Sequence, residues 1–329
     1  MQKFVFDETT AEHTTALAEL LHPLDAKHFF KDYWDKQSIL IQGGGHGRFH
    51  SIMTEADFVD ALYKAKLSSP SLRYLQKSLG DRQESLDYFL RQKATWVEPH
   101  STAQLAKDFH GGTMVYVAIE NAVASVKSYC RSIFPDFKSQ ISINAYFSAG
   151  RDASAFDAHF DPQDVFILQL EGQKEWQLWN QNRVTNPISG IPKSKSVPQA
   201  KLPADETVIL TPGDVLYVPR GMWHWPRLLD DNPSLHLTVT LIMPRPVDVL
   251  DWLKVVMSED ETFRASLPFS SYQDGAVERS ASLNQAIRFL TETLASPEAK
   301  SIAAAYMLQK GVRSIMPTLE PTPEDNDEL

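Results

Sequence analysis

The sequence predicts a mainly β core held between two helical regions, and three observations carry that prediction. From about Thr113 to Ile242, short β-rich runs follow one another, separated by Gly, Pro, Asn and Asp. This is the punctuation of a sandwich or barrel. On either side of that stretch apolar residues recur at helical spacing. Seventeen Phe, ten Tyr and seven Trp, in a chain of 329 residues that is 43% hydrophobic, supply the bulky side chains of packed sheets and mass for a large core.

Residues 1–105 read as a helical region with one strand joining the β core. Asp25 is placed to cap a helix over Ala26–Asp35, with Phe29, Phe30, Tyr33 and Trp34 on one face. Ser38–Gln42 is a strand that ends in Gly43-Gly44-Gly45. The triple glycine lacks the Gly-Lys-Ser/Thr ending of a phosphate loop and reads as a turn. Thr54–Asp57 has the form of a capping box, with Asp in the Glu position, and opens a helix through Phe58, Ala61 and Leu62.

The β core spans residues 106–246. Its strands are expected at Met114–Ile119, Ile141–Phe147, Val165–Leu170, Glu175–Trp179, Thr207–Leu210, Val215–Val218 and Leu235–Ile242, with Thr211–Asp214 as a tight turn. After Pro244 and Pro246, helical periodicity returns over 247–316. Val249, Trp252, Leu253 and Val256 mark one helix and Leu283, Ile287, Leu290 and Leu294 another; Ser296-Pro297 starts a third that stops at Gly311. Residues 317–329 read as an acidic, disordered tail.

The formal net charge of −10 argues against a basic nucleic-acid-binding face and is compatible with a basic protein partner. The single cysteine, Cys130, excludes an internal disulfide. No apolar run approaches membrane-spanning length and no secretory signal is apparent, so a cytoplasmic protein without a membrane partner is expected.

Three residues point to chemistry. His159 and Asp161 are two apart, just before a strand, and on an extended chain residues i and i+2 project to one side. His224 follows the strand Val215–Val218 and the turn Pro219-Arg220-Gly221. Two imidazoles and one carboxylate hold one face of an octahedral metal and leave the opposite positions open, as in non-heme Fe(II) sites. Alone, His224 between Trp223 and Trp225 would read as a hydrogen-bonded structural histidine. His236, in the alternating run Leu235–Thr240, competes for the third position and reads as a pocket or core histidine. Lys174 opens the return strand after the Glu171-Gly172 turn. It either pairs with Glu171 or Glu175 at the surface or turns inward, where a buried cation needs an anion.

At these residues the chain resembles a known family. Residues 140–180 and 208–242 resemble the JmjC-type cupin 2-oxoglutarate oxygenases, specifically the ribosomal oxygenase group. The segment His159–Trp176, with its LQLEGQKEW hairpin, and the run GDVLYVPRGMWH at 213–224 carry the likeness, and residues 20–44 are similar to the group's entry segment. The resemblance implies a double-stranded β-helix, the cupin/JmjC jelly roll, as a catalytic barrel over 106–246. It implies an Fe(II)- and 2-oxoglutarate-dependent dioxygenase in which His159, Asp161 and His224 bind iron. Lys174 would meet the distal carboxylate of 2-oxoglutarate, and Asn144 and Tyr146 would help line that pocket. With O2 as the other co-substrate, the reaction would hydroxylate a protein side chain, an Arg or His of a ribosomal protein. Residues 247–316 would be a dimerisation or reduced winged-helix-like region, whose apolar helix faces fit a homodimer contact and intramolecular packing on the barrel about equally well. The loop Ser148–Ala158 departs from the TPxGSQG wording of the group's eukaryotic members. Alternatives are a small-molecule 2-oxoglutarate oxygenase and a non-catalytic metal-binding cupin. The latter has no need of a cation at Lys174.

Overall fold

The structure, a computed structural model, describes residues 1–6, 15–64, 71–75, 101–154, 156–181, 183–188, 203–266, 273–296 and 301. The expected tail at 317–329 and the helix stop at Gly311 lie outside these residues. Met1–Phe137 with Ile141–Ile242 form one compact unit, and Lys138–Gln140 with Met243–Leu329 a second.

The first unit is built on two sheets. The larger contains, among the described residues, β1 (Gln2–Val5), β2 (Ile39–Gln42), β3 (Leu72–Leu75), β4 (Gly112–Tyr116), β5 (Gln140–Ala149), β6 (Asp164–Glu171), β9 (Val215–Val218) and β11 (Ser234–Ile242). Its spatial order is β1-β2-β9-β6-β11-β5-β4-β3. The smaller contains β7 (Lys174–Trp179), β8 (Glu206–Leu210) and β10 (Trp223–Arg227), in the order β10-β7-β8. The jelly roll is therefore present as two facing sheets and not as a closed barrel.

Strict alternation along the strands creates the two layers of packing. Ile141, Ile143, Ala145 and Phe147 of β5, Phe166 and Leu168 of β6 and Leu235, Leu237, Val239 and Leu241 of β11 face one side of the large sheet. There they pack against α1 (Ala16–Leu21), α2 (Ala26–Asp32), α3 (Glu55–Lys64), α4 (Thr102–Asp108) and α5 (Ala124–Phe137). Val165 and Ile167, on the other side, join Leu216 and Val218 of β9 in a core shared with Trp176, Leu178, Val208 and Leu210 of the small sheet. Each such side chain, when fully buried, contributes roughly 1.5–3 kcal/mol.

The local capping signals are realised. Asp25 Oδ1 accepts from the His28 amide at 3.0 Å. Asp57 Oδ2 accepts from the Thr54 amide at 2.8 Å while Thr54 Oγ1 accepts from the Asp57 amide at 3.2 Å. Helix α2 ends at Asp32, three residues short of the expected Asp35, which takes a left-handed φ of 53°. Strand β4 stops at Tyr116 instead of running to Ile119. Ala118 is left-handed there, with φ 55°, and its amide donates to Asn144 Oδ1 at 3.0 Å.

The triple glycine is a packing device. Gly43, Gly44 and Gly45 all have positive φ, and a Cβ on Gly213 would lie 2.4 Å from the Gly45 nitrogen. Two turns therefore nest backbone to backbone. Buried Asp214 fastens them, accepting from the Gly43 amide, the Thr211 amide and Thr211 Oγ1 at 2.8, 2.8 and 3.0 Å. In the second unit, Pro246–Asp248 leads into α6 (Val249–Glu259), where Trp252 and Leu253 are buried, followed by α7 (Glu261–Arg264) and α8 (Gln273–Ala295).

Asp214→Ala leaves two half-buried amide donors without their acceptor, so it should cost about 2 kcal/mol in equilibrium urea unfolding. A loss below about 0.5 kcal/mol would show that the nested turns hold without the carboxylate.

Candidate metal centre

His159, Asp161 and His224 come together at the mouth between the two sheets. Their ligating atoms all lie within 4.8 Å of one another. The first two sit in the segment leading to β6 and not in a strand, so pleating does not aim them. Backbone hydrogen bonds to the neighbouring chain do. The His159 amide donates to the His224 carbonyl at 3.0 Å, and the His224 amide returns the bond at 2.7 Å. The Gly221 amide donates to the Asp161 carbonyl at 2.8 Å. Gly221 has a φ of 76°, and a Cβ there would fall 2.0 Å from the Val184 carbonyl oxygen.

The donor set suits a divalent metal. His159 Nδ1 lies 2.8 Å from the Asp157 carbonyl and His224 Nδ1 lies 3.0 Å from the Met222 carbonyl. A carbonyl only accepts, so each Nδ1 carries the proton and each Nε2 presents its lone pair. His224 Nε2 and Asp161 Oδ2 are 3.5 Å apart, near the ~3 Å edge that two ~2.1 Å bonds at right angles would span. His224 is buried, whereas the Asp161 side chain is partly exposed, which leaves an approach open.

Behind the trio runs a cavity lined by Tyr146, Val165, Ile167, Lys174, Trp176, His236 and Thr238, with Phe156 and Pro226 nearer the histidines. Trp176 touches both ends: its ring centroid lies 5.8 Å from that of His224 and 5.7 Å from that of His236. Lys174 is fully buried and donates from Nζ to Ser148 Oγ at 2.7 Å. Ser148 Oγ lies 2.8 Å from Thr113 Oγ1. The surface pairing with Glu171 or Glu175 does not occur; Glu171 meets His46 and Glu175 meets Arg227. Burial lowers the Lys174 pKa to about 7, and no carboxylate among the described residues opposes that shift.

His236 stands apart from the metal trio. Its ring stacks on Tyr146 at 4.9 Å and 1°, and burial, reinforced by the charge of Lys174, holds its pKa well below the ordinary histidine value. Burial pushes the Tyr146 hydroxyl up to about 12, so it too stays neutral. Asn144 is one step behind the cavity wall. It hydrogen-bonds the Tyr146 hydroxyl and fixes the left-handed Ala118. Ser148, Trp176 and Phe156 are neighbours that motif reading alone does not single out. Ser148 had one signal: it shares a strand face with Asn144 and Tyr146 at i+2 spacing. A larger cavity beside Glu19, Arg48 and Tyr129 brings together no metal-ligating cluster among the described residues, so chemistry and not size selects the site.

In a metal titration, His159→Ala and His224→Ala should each abolish tight binding of one divalent ion, while His236→Ala should retain it. Retention in the first two and loss in the third would move the third ligand to His236.

Comparison with known proteins agrees with this architecture. Residues 120–249 match the family described as the JmjC domain. Ribosomal oxygenase 1 of Danio rerio is 28% identical over 278 residues, covering 79% of this chain and 48% of that protein. A protein of Dictyostelium discoideum described as bifunctional lysine-specific demethylase and histidyl-hydroxylase NO66 is 29% identical over 233 residues, covering 68% of this chain and 42% of its own length. The chain thus spans about half the length of these relatives or less. The solved structure of YcfD, a ribosomal oxygenase from Escherichia coli, superposes with a TM-score of 0.53 at 16% identity, covering 87% of this chain and 71% of that one. The same protein has been solved in complex with cobalt and 2-oxoglutarate, with a TM-score of 0.53 and 15% identity over the same shares. Residues 120–249 are thus similar to the JmjC domain, and the chain shares its fold with the ribosomal oxygenase structure on which it superposes.

Proposed function

We propose that this protein is an Fe(II)- and 2-oxoglutarate-dependent oxygenase that hydroxylates a protein side chain, an Arg or His of a ribosomal protein. The observation that carries the reading is the buried Lys174 at one end of a cavity whose other end holds His159, Asp161 and His224. A metal-binding module needs no cation there. A dicarboxylate that chelates a metal through its keto-acid end would place its far carboxylate against that ammonium.

His159, Asp161 and His224 would hold iron on one face, and iron with 2-oxoglutarate and O2 would supply the oxidising chemistry. The protein's own groups bind and orient. Ser148 aims the Lys174 ammonium, and Trp176 lines the cavity wall beside His224 and His236. Neutral His236 and Tyr146 line the pocket without adding competing charge. The protein-substrate reading is supported by the relatives' names and by the net charge of −10, which favours a basic partner.

Purified protein with Fe(II) should convert 2-oxoglutarate to succinate, and Lys174→Ala should weaken 2-oxoglutarate binding by at least tenfold, since a charge-assisted bond of about 1.5–3 kcal/mol is lost. Intact binding in Lys174→Ala would remove the lysine from the co-substrate site.

The same lysine predicts a pH dependence. In the free protein it is protonated below about pH 7 and loses its charge above it. Affinity for 2-oxoglutarate should therefore fall as pH rises from 6 to 8, with proton uptake on binding above pH 7 measurable in buffers of different ionisation enthalpy. A flat profile would assign the anion to another group. Mass spectrometry of ribosomal proteins, from cells with and without the gene, should show a shift of about 16 Da on one Arg- or His-containing peptide, lost in the deletion.

A further inference from the structure

The turn that delivers His224 is held from outside the cavity by one carboxylate. Asp35 follows helix α2 in a left-handed conformation. Its Oδ1 accepts from Arg220 Nε at 3.1 Å and its Oδ2 from Arg220 Nη2 at 2.8 Å, a two-pronged fork. Arg183 Nη2 also donates to Oδ1, and its Nη1 donates to the Asp35 carbonyl at 2.5 Å.

The backbone of Arg220 is fixed as well. Its carbonyl accepts from Arg183 Nε at 2.7 Å, and its amide donates to Asp164 Oδ1 at 3.4 Å. Tyr217 ties the two carboxylate residues together: it accepts from the Asp35 amide at 2.8 Å and donates to Asp164 Oδ1 at 2.6 Å. The next residue, Gly221, donates to the Asp161 carbonyl and accepts from the Val184 amide, both at 2.8 Å. Three residues later comes His224. Asp35 and the backbone that spaces Asp161 from His224 are therefore linked by two consecutive residues, Arg220 and Gly221.

We propose that Asp35 is a positioning residue for the metal centre, setting the turn at 219–222 through Arg220 and thereby the spacing of Asp161 and His224. The inference rests on the reading of His159, Asp161 and His224 as metal-binding. Asp35, Arg183 and Arg220 retain 32%, 22% and 20% side-chain exposure, so solvent screens their attraction and their contribution to global stability is small. Their effect falls on placement. Without the carboxylate, two guanidiniums converge on a neutral group, and the fork that aligns the turn is lost. Groups that orient metal ligands from outside the coordination sphere typically govern affinity by 10–100-fold.

The test is anaerobic titration with Fe(II), and with Co(II) read by its ligand-field absorption, on the full chain carrying Asp35→Asn. Both dissociation constants should rise about tenfold and the Co(II) band should change shape. Arg220→Lys, which keeps the charge without the fork, should fall between wild type and Asp35→Asn. Asp57→Ala removes the capping box of α3, which is not part of this network, and serves as the destabilised control; it should bind both metals as wild type does. Wild-type affinity in Asp35→Asn, or equal weakening in Asp35→Asn and Asp57→Ala, would overturn the positioning role. A wild-type protein that binds neither metal would overturn the metal reading and this inference with it.

Discussion

The candidate centre depends on a reciprocal pair of backbone hydrogen bonds between His159 and His224, 3.0 and 2.7 Å long. These two residues are far apart in the chain, and no continuous strand carries both. The bridge gives each imidazole the same local frame, while the Gly221 amide brings Asp161 into line. Backbone groups are suitable for this work because side-chain chemistry is then left free for the metal. Everything else in the first unit serves to bring the segment ahead of β6 against the segment entering β10. The large sheet supplies a rigid floor, and the aromatic helices pack its far face.

The cavity behind the trio obeys a second constraint, the cost of a buried cation. An ammonium removed from water and held by the Ser148 hydroxyl is unfavourable, and the lowered pKa of Lys174 expresses that. The surrounding residues do not relieve it. His236 and Tyr146 are neutral, and Trp176 is apolar across its faces. The fold thus keeps an electrostatic deficit at one place, which an incoming carboxylate would remove. Metal ligands at one end and an uncompensated cation at the other define the length and polarity of the molecule that fits.

Local signals in the sequence were sufficient for what is decided locally. Asp25 and Thr54–Asp57 cap their helices because capping involves residues three apart. Alternation located the long strands because one face of each meets a core. Strands β1, β3 and β10 were not legible. Gln2–Val5 is almost wholly exposed and exists because β2 offers a parallel partner, and Trp223–Arg227 contains a proline and two indoles that suggest no alternation. Helix α5 is obscured by Pro135, which reads as a breaker although it falls in the last turn, where one lost hydrogen bond is tolerable. The trio was legible as types and spacing. The burial of Lys174 was not, since spacing alone favours surface pairing with Glu171 or Glu175 over inward projection. The Asp35–Arg220 fork had no signal, because 185 residues separate its partners.

Both histidines of the trio fix their ring protons on carbonyls two residues upstream in their own segments. The ring orientations are thus fixed by the protein's own carbonyls. A preset, open face of two nitrogens and one oxygen does not discriminate strongly among first-row divalent ions, which bind such donors in the general order that rises from manganese to copper. Which ion occupies the centre is then decided by what the surroundings supply, and a preparation's metal content reports its growth medium as much as its fold.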